Sequence, residues 1–356
     1  MKRTFTISLA LLLSLGLLLT GCGAGGGAAS PTPAASPEPS ATPVSTAQPT
    51  ADSRPAVNLA LLIGPTGIGA AKLMADNDAG ATVNRYQVTV AAANDEVTAK
   101  LINGEVDLAA VATNVASNLF HKTDGDIQIA ALNTLGVLHI LERGDTVKTM
   151  SGLRGKTIYA TGQGANPEYV LSYLLTENGL TPGEDVDIVW KSAEEVSALM
   201  LSGEARVCML PEPAATALIV KSAAAGQSDG QVRAALDLSE EWEDVSPDSV
   251  LTMGCIVVRT EFAREHPDVV NDFLTEYEAS IDYVNANPQE AGALVEQYGI
   301  TASAKIAQLA IPRCNLVCIT GTDIRDGIQD YYEVLFAANP AAIGGSIPDD
   351  AFYYIP

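Results

Sequence analysis

Small and polar residues recur at the points where apolar runs of this chain end, and their types suit the binding of a small molecule. In open α/β sheets, ligands lie beyond the carboxyl ends of the strands, against the N-termini of the helices that follow. Those N-termini offer unpaired backbone N–H groups and a partial positive charge, and glycine there lets the backbone approach a ligand closely. The residues with this placement, which we predict to bind a ligand, are Gly64, Pro65, Thr66, Gly67, Thr113, Asn114, Asn133, Thr134, Thr161, Gly162, Asn166 and Glu212.

The first of these turns lies in LLIGPTGIGAA, residues 61–71, where an apolar run stops at glycines and an alanine-rich segment follows. Gly64 and Gly67 suggest a phosphate-binding loop, but they are not followed by the Gly-Lys-Ser/Thr that a nucleotide loop requires. Thr66 could donate its hydroxyl and N–H groups to a ligand oxygen, or it could cap the helix, a position that threonine favours. The sequence therefore predicts a ligand-contacting turn here and no nucleotide site.

Two further pairs of polar residues follow apolar strands. Thr113 and Asn114 come after VDLAAVA and could either cap the next segment or face a ligand. Asn133 and Thr134 end the strand IQIAALNT, where capping explains polar side chains less readily. We therefore expect Asn133 and Thr134 to line a cleft.

The segment TGQGANPE, residues 161–168, joins another strand to another helix. Pro167 suits the first helical turn, and Asn166 could cap that helix or point its amide at a ligand. Thr161 and Gly162 precede them at the end of the strand. A dinucleotide fingerprint needs a third glycine that this segment lacks, so a Rossmann cofactor site is not expected.

Glu212 stands between two prolines in LPEP and indicates the charge of a ligand. In a cleft its carboxylate would pair with an amine or amidine, whereas on the surface it would be a solvated acid favoured by the helix dipole. Helix N-termini favour an anionic or carbonyl group. An amphoteric or heterocyclic solute would satisfy both.

No arrangement of residues for catalysis or metal binding stands out in the sequence. It has no Ser–His–Asp arrangement or Walker loop, and none of its three histidines lies near a cysteine pair that could hold zinc. His139, in GVLHILER, is the one histidine placed near a possible cleft, and it fits equally well as a core residue. We predict no catalytic residues, no cofactor and no metal.

The elements that must position these residues alternate between strands and helices. Such alternation predicts parallel sheets flanked by helices. We expect two α/β lobes, the first formed by residues 57–142 and 253–356 and the second by residues 143–252. The chain would cross between them near residues 143–151 and again near residues 243–252, and two crossings make a hinge around a ligand cleft.

The N-terminal residues have the pattern of an export signal. Residues 1–21 combine a basic start with an apolar run too short to span a bilayer, as signal peptides do. The run ends in Leu-Thr-Gly-Cys, which resembles a bacterial lipobox and predicts a lipidated (palmitate-bearing) Cys22. The alternative is a simple secretory peptide with a chance cysteine. Residues 22–56, rich in Gly, Ala, Ser, Thr and Pro, predict a disordered tether.

The charge of the chain argues against two kinds of partner. The formal net charge is −23, and removal of the signal peptide with Lys2 and Arg3 would take it to −25. So acidic a protein is not expected to bind nucleic acid or an anionic lipid surface.

The four cysteines after Cys22 have two kinds of setting. Cys208 and Cys255 lie in apolar, strand-like runs and are expected to be buried thiols. Cys314 and Cys318 are close enough in sequence to pair if the chain turns, and an extracellular address would permit that disulfide. The sequence leaves this pairing open.

Several segments together resemble the substrate-binding proteins of bacterial ABC importers, and most closely the branch that binds sulfonates, nitrate and thiamine-pyrimidine precursors. GLRGKTIYATGQGANPEYVLSYLLTENGL at 152–180 is similar to the "DLKGKKI" strand entry, turn and helix of that family. LINGEVDLAAV at 101–111 is similar to its "L..G..D.A" segment, and LPEP at 210–213 to its "EP" turn. The resemblance covers about residues 57–340, and the order and spacing of the motifs carry it.

This resemblance implies a two-lobed, type II periplasmic-binding-protein fold with a ligand cleft between the lobes. It implies a monomeric lipoprotein, anchored outside the cell membrane, that captures a small organic solute and delivers it to an ABC permease without chemistry. Two alternatives remain: an enzyme of related fold, like the pyrimidine synthases or menaquinone-pathway enzymes, and a ligand sensor without a transporter.

Overall fold

A computed structural model of the chain describes residues 52–226, 230–247 and 249–356. The predicted signal peptide, the predicted lipidation site Cys22 and most of the predicted tether lie outside the described residues. The strands of the described part are β1 Ala56–Leu62, β2 Arg85–Ala91, β3 Leu108–Ala112, β4 Ile127–Leu135, β5 Leu138–Arg143, β6 Thr157–Ala160, β7 Asp187–Trp190, β8 Val207–Pro211, β9 Val232–Asp237, β10 Thr252–Arg259 and β11 Leu316–Thr320.

The α-helices alternate with these strands, as predicted. They are α1 Pro65–Ile68, α2 Ala71–Asp78, α3 Asn94–Ile102, α4 Thr113–Lys122, α5 Asn166–Glu177, α6 Ala193–Ser202, α7 Ala214–Ala225, α8 Leu238–Val245, α9 Thr260–Glu265, α10 Pro267–Ala286, α11 Pro288–Gln297, α12 Ala304–Ala310 and α13 Asp323–Ala338.

The strands form two separate sheets, which confirms the predicted α/β architecture. The first sheet has the order β11-β4-β10-β3-β1-β2, and the second has the order β7-β6-β8-β5-β9. In the first, β1 is parallel to β2 and β3, while β10 is antiparallel to both of its neighbours. In the second, β6 is parallel to β7 and β8, while β5 is antiparallel to β8 and β9.

The chain passes between the sheets twice, and the first passage differs from the predicted one. β4 belongs to the first sheet and β5 to the second, so the chain crosses at Gly136 and Val137 and not near residues 143–151. Residues 138–142 therefore belong with the second sheet. The prediction was wrong because two residues are too few to show as a loop between two apolar strands.

The second passage lies between α8 and β10, next to the first. A Cβ atom added to Gly136 would come within 2.2 Å of Ser239 Oγ and 2.9 Å of Leu251 Cδ2. Ser239 is in α8 and Leu251 just precedes β10, so glycine at position 136 lets the two connections lie side by side.

Helix α10 shows how the sequence specifies the core of the first sheet. Its apolar residues recur at the spacing that predicts an amphipathic helix, and they are buried: Val270, Phe273, Leu274, Tyr277, Ile281 and Val284. Helix α4 and strand β11, in contrast, were not predicted. The buried face of α4 includes Thr113, Asn114 and Ser117, whose polar side chains weaken the apolar period that identifies a helix.

All four cysteines of the described residues are free thiols. Cys208 and Cys255 are buried in β8 and β10, as predicted, and burial raises the pKa of both thiols. Cys314 follows the 3₁₀ turn Ile311–Arg313 and Cys318 lies in β11, and the two thiols are not bonded to each other.

Candidate functional site

Asn133 and Thr134 form a polar cluster with the Gly64–Gly67 turn at the carboxyl end of the first sheet. Asn133 is 1% exposed, and its Nδ2 donates to the carbonyl oxygen of Thr66 at 3.2 Å and to the Tyr277 hydroxyl at 3.0 Å. Its Oδ1 accepts a hydrogen bond from Thr134 Oγ1 at 3.0 Å. The structure thus brings together three of the predicted residues.

Gly254 in β10 completes this cluster, and the sequence analysis missed it. A Cβ atom at this position would lie 2.3 Å from Thr66 Cγ2 and 2.7 Å from Asn133 Oδ1. The only signal in the sequence is a glycine inside the apolar run MGCIVVR. Gly254 therefore allows the first turn and β4 to approach each other.

Replacing Gly254 with alanine is expected to lower the free energy of unfolding by about 1–3 kcal/mol, because the added methyl overpacks the cluster. Urea denaturation followed by circular dichroism measures the change. Gly152→Ala is the matched control, since the nearest atom to its Cβ is 3.6 Å away. Equal free energies of unfolding for the Gly254→Ala variant and the wild type would contradict this prediction, because the neighbouring side chains would then have moved to accept the methyl group at no cost.

The glycines of the first turn are required by backbone conformation at Gly64 and by packing at Gly67. Gly64 has φ of 99°, a conformation that favours glycine, and its N–H donates to the Ile300 carbonyl at 3.3 Å. A Cβ on Gly67 would lie 2.1 Å from the Leu62 carbonyl oxygen. Pro65 begins α1, which has four residues. Backbone geometry thus accounts for these three residues without a ligand.

A second cluster joins the N-termini of two helices, one from each sheet. Thr113 begins α4 after β3 of the first sheet, and Asn166 begins α5 after β6 of the second. Asn166 Nδ2 donates to Thr113 Oγ1 at 3.3 Å, and this hydroxyl donates to the Thr252 carbonyl at 3.0 Å. The Tyr332 hydroxyl donates to the Thr113 carbonyl at 2.7 Å. We call this set of four residues the α4–α5 junction.

Several buried polar atoms in and beside the α4–α5 junction have no hydrogen-bond partner among the described residues. They are Asn114 Oδ1, Asn166 Oδ1, Thr252 Oγ1 and Tyr331 OH. Asn166 is 2% exposed and Asn114 is 7% exposed. Because burying a polar group without a partner is costly, these atoms mark a place suited to a polar ligand.

Thr161 and Gly162 follow β6 on the approach to the α4–α5 junction, and both are half-buried. Gly162 has φ of 89°, and a Cβ there would lie 2.6 Å from Pro167 Cγ. Glycine is therefore needed so that the turn can fold over the proline that starts the helix.

The last predicted residue, Glu212, lies in a charged cluster instead of an open cleft. Its Oε1 is 3.1 Å from Arg313 Nε and 3.6 Å from His139 Nε2, and its Oε2 accepts from the Thr216 N–H at 3.2 Å. His139 Nδ1 in turn is 3.6 Å from Asp237 Oδ2. The sequence analysis missed Arg313, whose pairing with a residue 101 positions away leaves no local signal.

Burial controls the charges of this cluster. It raises the pKa of the Glu212 carboxyl, while the hydrogen bond from Thr216 and the positive charge of Arg313 oppose the rise. Burial also lowers the pKa of His139 to about 4, against the raising effect of Asp237. His139 is therefore neutral at pH 7, and Arg313 is the cation that faces Glu212.

No group of three or more His, Cys, Asp or Glu side chains in the described residues is arranged to hold a metal ion. None of the helices in the described part of the chain has both the length and the apolar character needed to cross a membrane.

Comparison with protein families supplies the decisive observation. The family described as the periplasmic substrate-binding proteins of phosphonate ABC transporters matches residues 81–310, well over half of the chain. The chain belongs to this family. This confirms the resemblance to ABC substrate-binding proteins, and such proteins capture a solute outside the cytoplasm and deliver it to a permease. They are not enzymes, which excludes the enzymatic alternative.

Solved structures share the fold of this substrate-binding protein. An ABC transporter structure from Parabacteroides distasonis is 21% identical, with a TM-score of 0.70 over 84% of this chain and 98% of its own. The aliphatic sulphonate binding protein SsuA from Escherichia coli is 14% identical, with a TM-score of 0.62 over 82% and 94%. The alkanesulfonate-binding protein SsuA from Xanthomonas axonopodis pv. citri, bound to MOPS, is 14% identical, with a TM-score of 0.57 over 81% and 94%. Comparison with curated protein sequences gives no match.

Proposed function

We propose that this substrate-binding protein captures a small organic oxyanion, a phosphonate or a sulfonate, at the α4–α5 junction. The observation that carries this proposal is the meeting of two helix N-termini from different sheets beside the Thr252 and Tyr331 hydroxyls, which are buried, lack partners among the described residues and can donate to an anion. Helix N-termini stabilise anions through their free N–H groups and their dipoles. Two of them converging on one point favour a compact, multi-oxygen anion.

Names of the family and of two relatives support the same ligand class. The family is described for phosphonate transport, and the Escherichia coli and Xanthomonas structures are named for sulfonates. The expectation of a cationic group on the ligand rested on an unpaired Glu212. Because Arg313 lies 3.1 Å from that carboxylate, we do not propose an amine for the ligand.

We further propose that the two sheets belong to two hinged lobes that close on the solute. The first lobe consists of residues 52–135 and 252–356, and the second of residues 138–245. The adjacent connections at Gly136–Val137 and at residues 246–247 and 249–251 would form the hinge. Of the predicted site residues, Thr66, Asn114, Asn133 and Thr134 would line the first lobe of the cleft, and Thr161 and Gly162 the second.

Thermal-shift screening with ethylphosphonate, ethanesulfonate, inorganic phosphate and nitrate tests the ligand class. A solute present at 100 times its dissociation constant stabilises the protein by about 2.7 kcal/mol, which raises the melting temperature measurably. We expect a phosphonate or a sulfonate to give this shift. A shift with inorganic phosphate or nitrate alone, or no shift with any of the four solutes, would contradict the proposal.

The N-terminal residues would attach the protein to the cell membrane. We propose that residues 1–21 are removed and that Cys22 carries the lipid anchor. The folded part of the chain, a monomer, would be attached to this anchor through a tether at residues 23–56. The composition of the tether and the lipobox-like Leu-Thr-Gly-Cys support this arrangement.

Replacing Cys22 with serine is expected to move most of the protein from the membrane fraction to the soluble fraction. An acyl chain contributes about 0.8 kcal/mol of membrane affinity per buried CH₂ group. A serine at position 22 cannot receive the lipid by the route that modifies a lipobox cysteine. Immunoblots of fractionated cells measure the distribution. Cys318→Ser is the control and should stay with the membrane. Retention of the Cys22→Ser variant in the membrane would contradict the anchor.

A further inference from the structure

An ion pair joins the two lobes beside the first connection. Arg313 ends the short 3₁₀ turn Ile311–Arg313 before β11 of the first sheet. Glu212 follows β8 of the second sheet. The distance from Arg313 Nε to Glu212 Oε1 is 3.1 Å, and the Glu212 N–H donates to the Val137 carbonyl within the connection at 2.9 Å. The pair thus bridges the lobes next to the point about which they would turn.

The two members of the pair differ strongly in their exposure. The Glu212 side chain is 0% exposed, whereas that of Arg313 is 33% exposed. The other ionisable groups around Glu212 are His139, Asp237 and the Cys314 thiol. With Arg313 in place the histidine is neutral at pH 7 and Asp237 is an acid, so Arg313 supplies the positive charge beside Glu212.

Removing one partner of a buried pair costs more than removing both, because a single deletion leaves a charge without compensation. If Arg313 is lost, Glu212 keeps its charge only where water can reach it. Separation of the lobes would supply that water, since Arg313 comes from the first lobe and the carboxylate from the second.

We propose that Arg313 is a positioning residue for solute capture, which holds the lobes together by neutralising the buried Glu212 carboxylate across the hinge. It acts through Glu212 and not through contact with the solute. The inference rests on the proposed two-lobed clamp, but it does not depend on which oxyanion the protein binds.

Distances between spin labels in the full chain without added solute test this inference. The labels are attached to a non-natural amino acid at positions 95 and 194, which leaves the native cysteines unmodified. Both positions are exposed, and each lies just after an outer strand of its own sheet, so the distance between the labels reports the separation of the lobes. We expect Arg313→Gln to raise the ratio of long to short distances about 5- to 30-fold, which corresponds to a free-energy change of about 1–2 kcal/mol between the two states. Arg313→Lys, which keeps the charge, should recover part of the short distance.

The double variant Glu212→Gln/Arg313→Gln separates this role from a purely structural one. With both charges gone, the distance distribution should return most of the way to that of the wild type. Arg154→Gln, which breaks an exposed ion pair with Asp185 inside the second lobe, is the control and should change nothing. A wild-type distribution for Arg313→Gln, or a double variant as open as Arg313→Gln, would overturn the inference and leave oxyanion binding untouched.

Discussion

Replacing Asn166 with aspartate is expected to lower the affinity for a phosphonate or sulfonate at least about 100-fold, because two like charges held close together cost several kcal/mol. The substitution changes one atom of a side chain that is 2% exposed and lies in the α4–α5 junction. Burying a carboxylate in place of an amide that donates to Thr113 Oγ1 also costs some stability, which the helix dipole at the first residue of α5 offsets in part, so affinity and stability are measured separately. Isothermal titration calorimetry measures the affinity, and thermal melting measures the stability.

Asn271→Asp is the matched control for added charge. Asn271 lies in α10, and its Oδ1 accepts a hydrogen bond from the Tyr354 hydroxyl at 2.8 Å, which a carboxylate can also accept. We expect this variant to bind the solute as the wild type does. Equal affinity of Asn166→Asp and the wild type would show that the oxyanion binds away from the α4–α5 junction.

Truncating Trp242 to alanine is expected to lower the free energy of unfolding by about 3–5 kcal/mol, the usual loss for a buried tryptophan. The Trp242 side chain in α8 is 1% exposed and packs against Tyr173 of α5 and Tyr331 of α13, with ring centroids 4.9 and 5.7 Å away. Its Nε1 also donates to Ser249 Oγ at 3.2 Å, in the second connection. The substitution therefore removes packing among three helices and a contact to the connection.

Urea denaturation followed by far-ultraviolet circular dichroism measures this loss without relying on the fluorescence of the tryptophan itself. Trp242→Phe keeps an aromatic ring in the space and should cost clearly less than the alanine variant. A loss of less than about 1 kcal/mol for Trp242→Ala would mean that α5 and α13 close over the gap.

The sequence predicted most of the architecture because strand–helix alternation leaves a strong periodic signal. The apolar positions of α10 and the turns after β1, β3 and β6 illustrate this. Helix α4 escaped prediction because Thr113, Asn114 and Ser117 on its buried face are polar. Those side chains are buried because they meet other elements: Ser117 Oγ donates to the Ile343 carbonyl at 2.6 Å, for example. No local pattern contains that information.

The candidate site was predictable only in outline. Polar residues at strand ends indicated Asn133, Thr113 and Asn166, yet their partners come from distant parts of the chain. The ion pair of Glu212 with Arg313 and the close fit of Gly254 against Thr66 depend on how the two sheets are placed. Local sequence gives the residue type at such positions, whereas the tertiary fold decides whether a carboxylate meets a ligand or an arginine.

The central claim is that an oxyanion binds where the N-termini of α4 and α5 meet. A crystal structure with the phosphonate or sulfonate that raises the melting temperature most tests it directly. We predict oxyanion oxygens within hydrogen-bonding distance of Thr113 and Asn166 or of the N–H groups in the first turns of their helices. A solute bound elsewhere, with the α4–α5 junction unchanged and free of it, would contradict the claim.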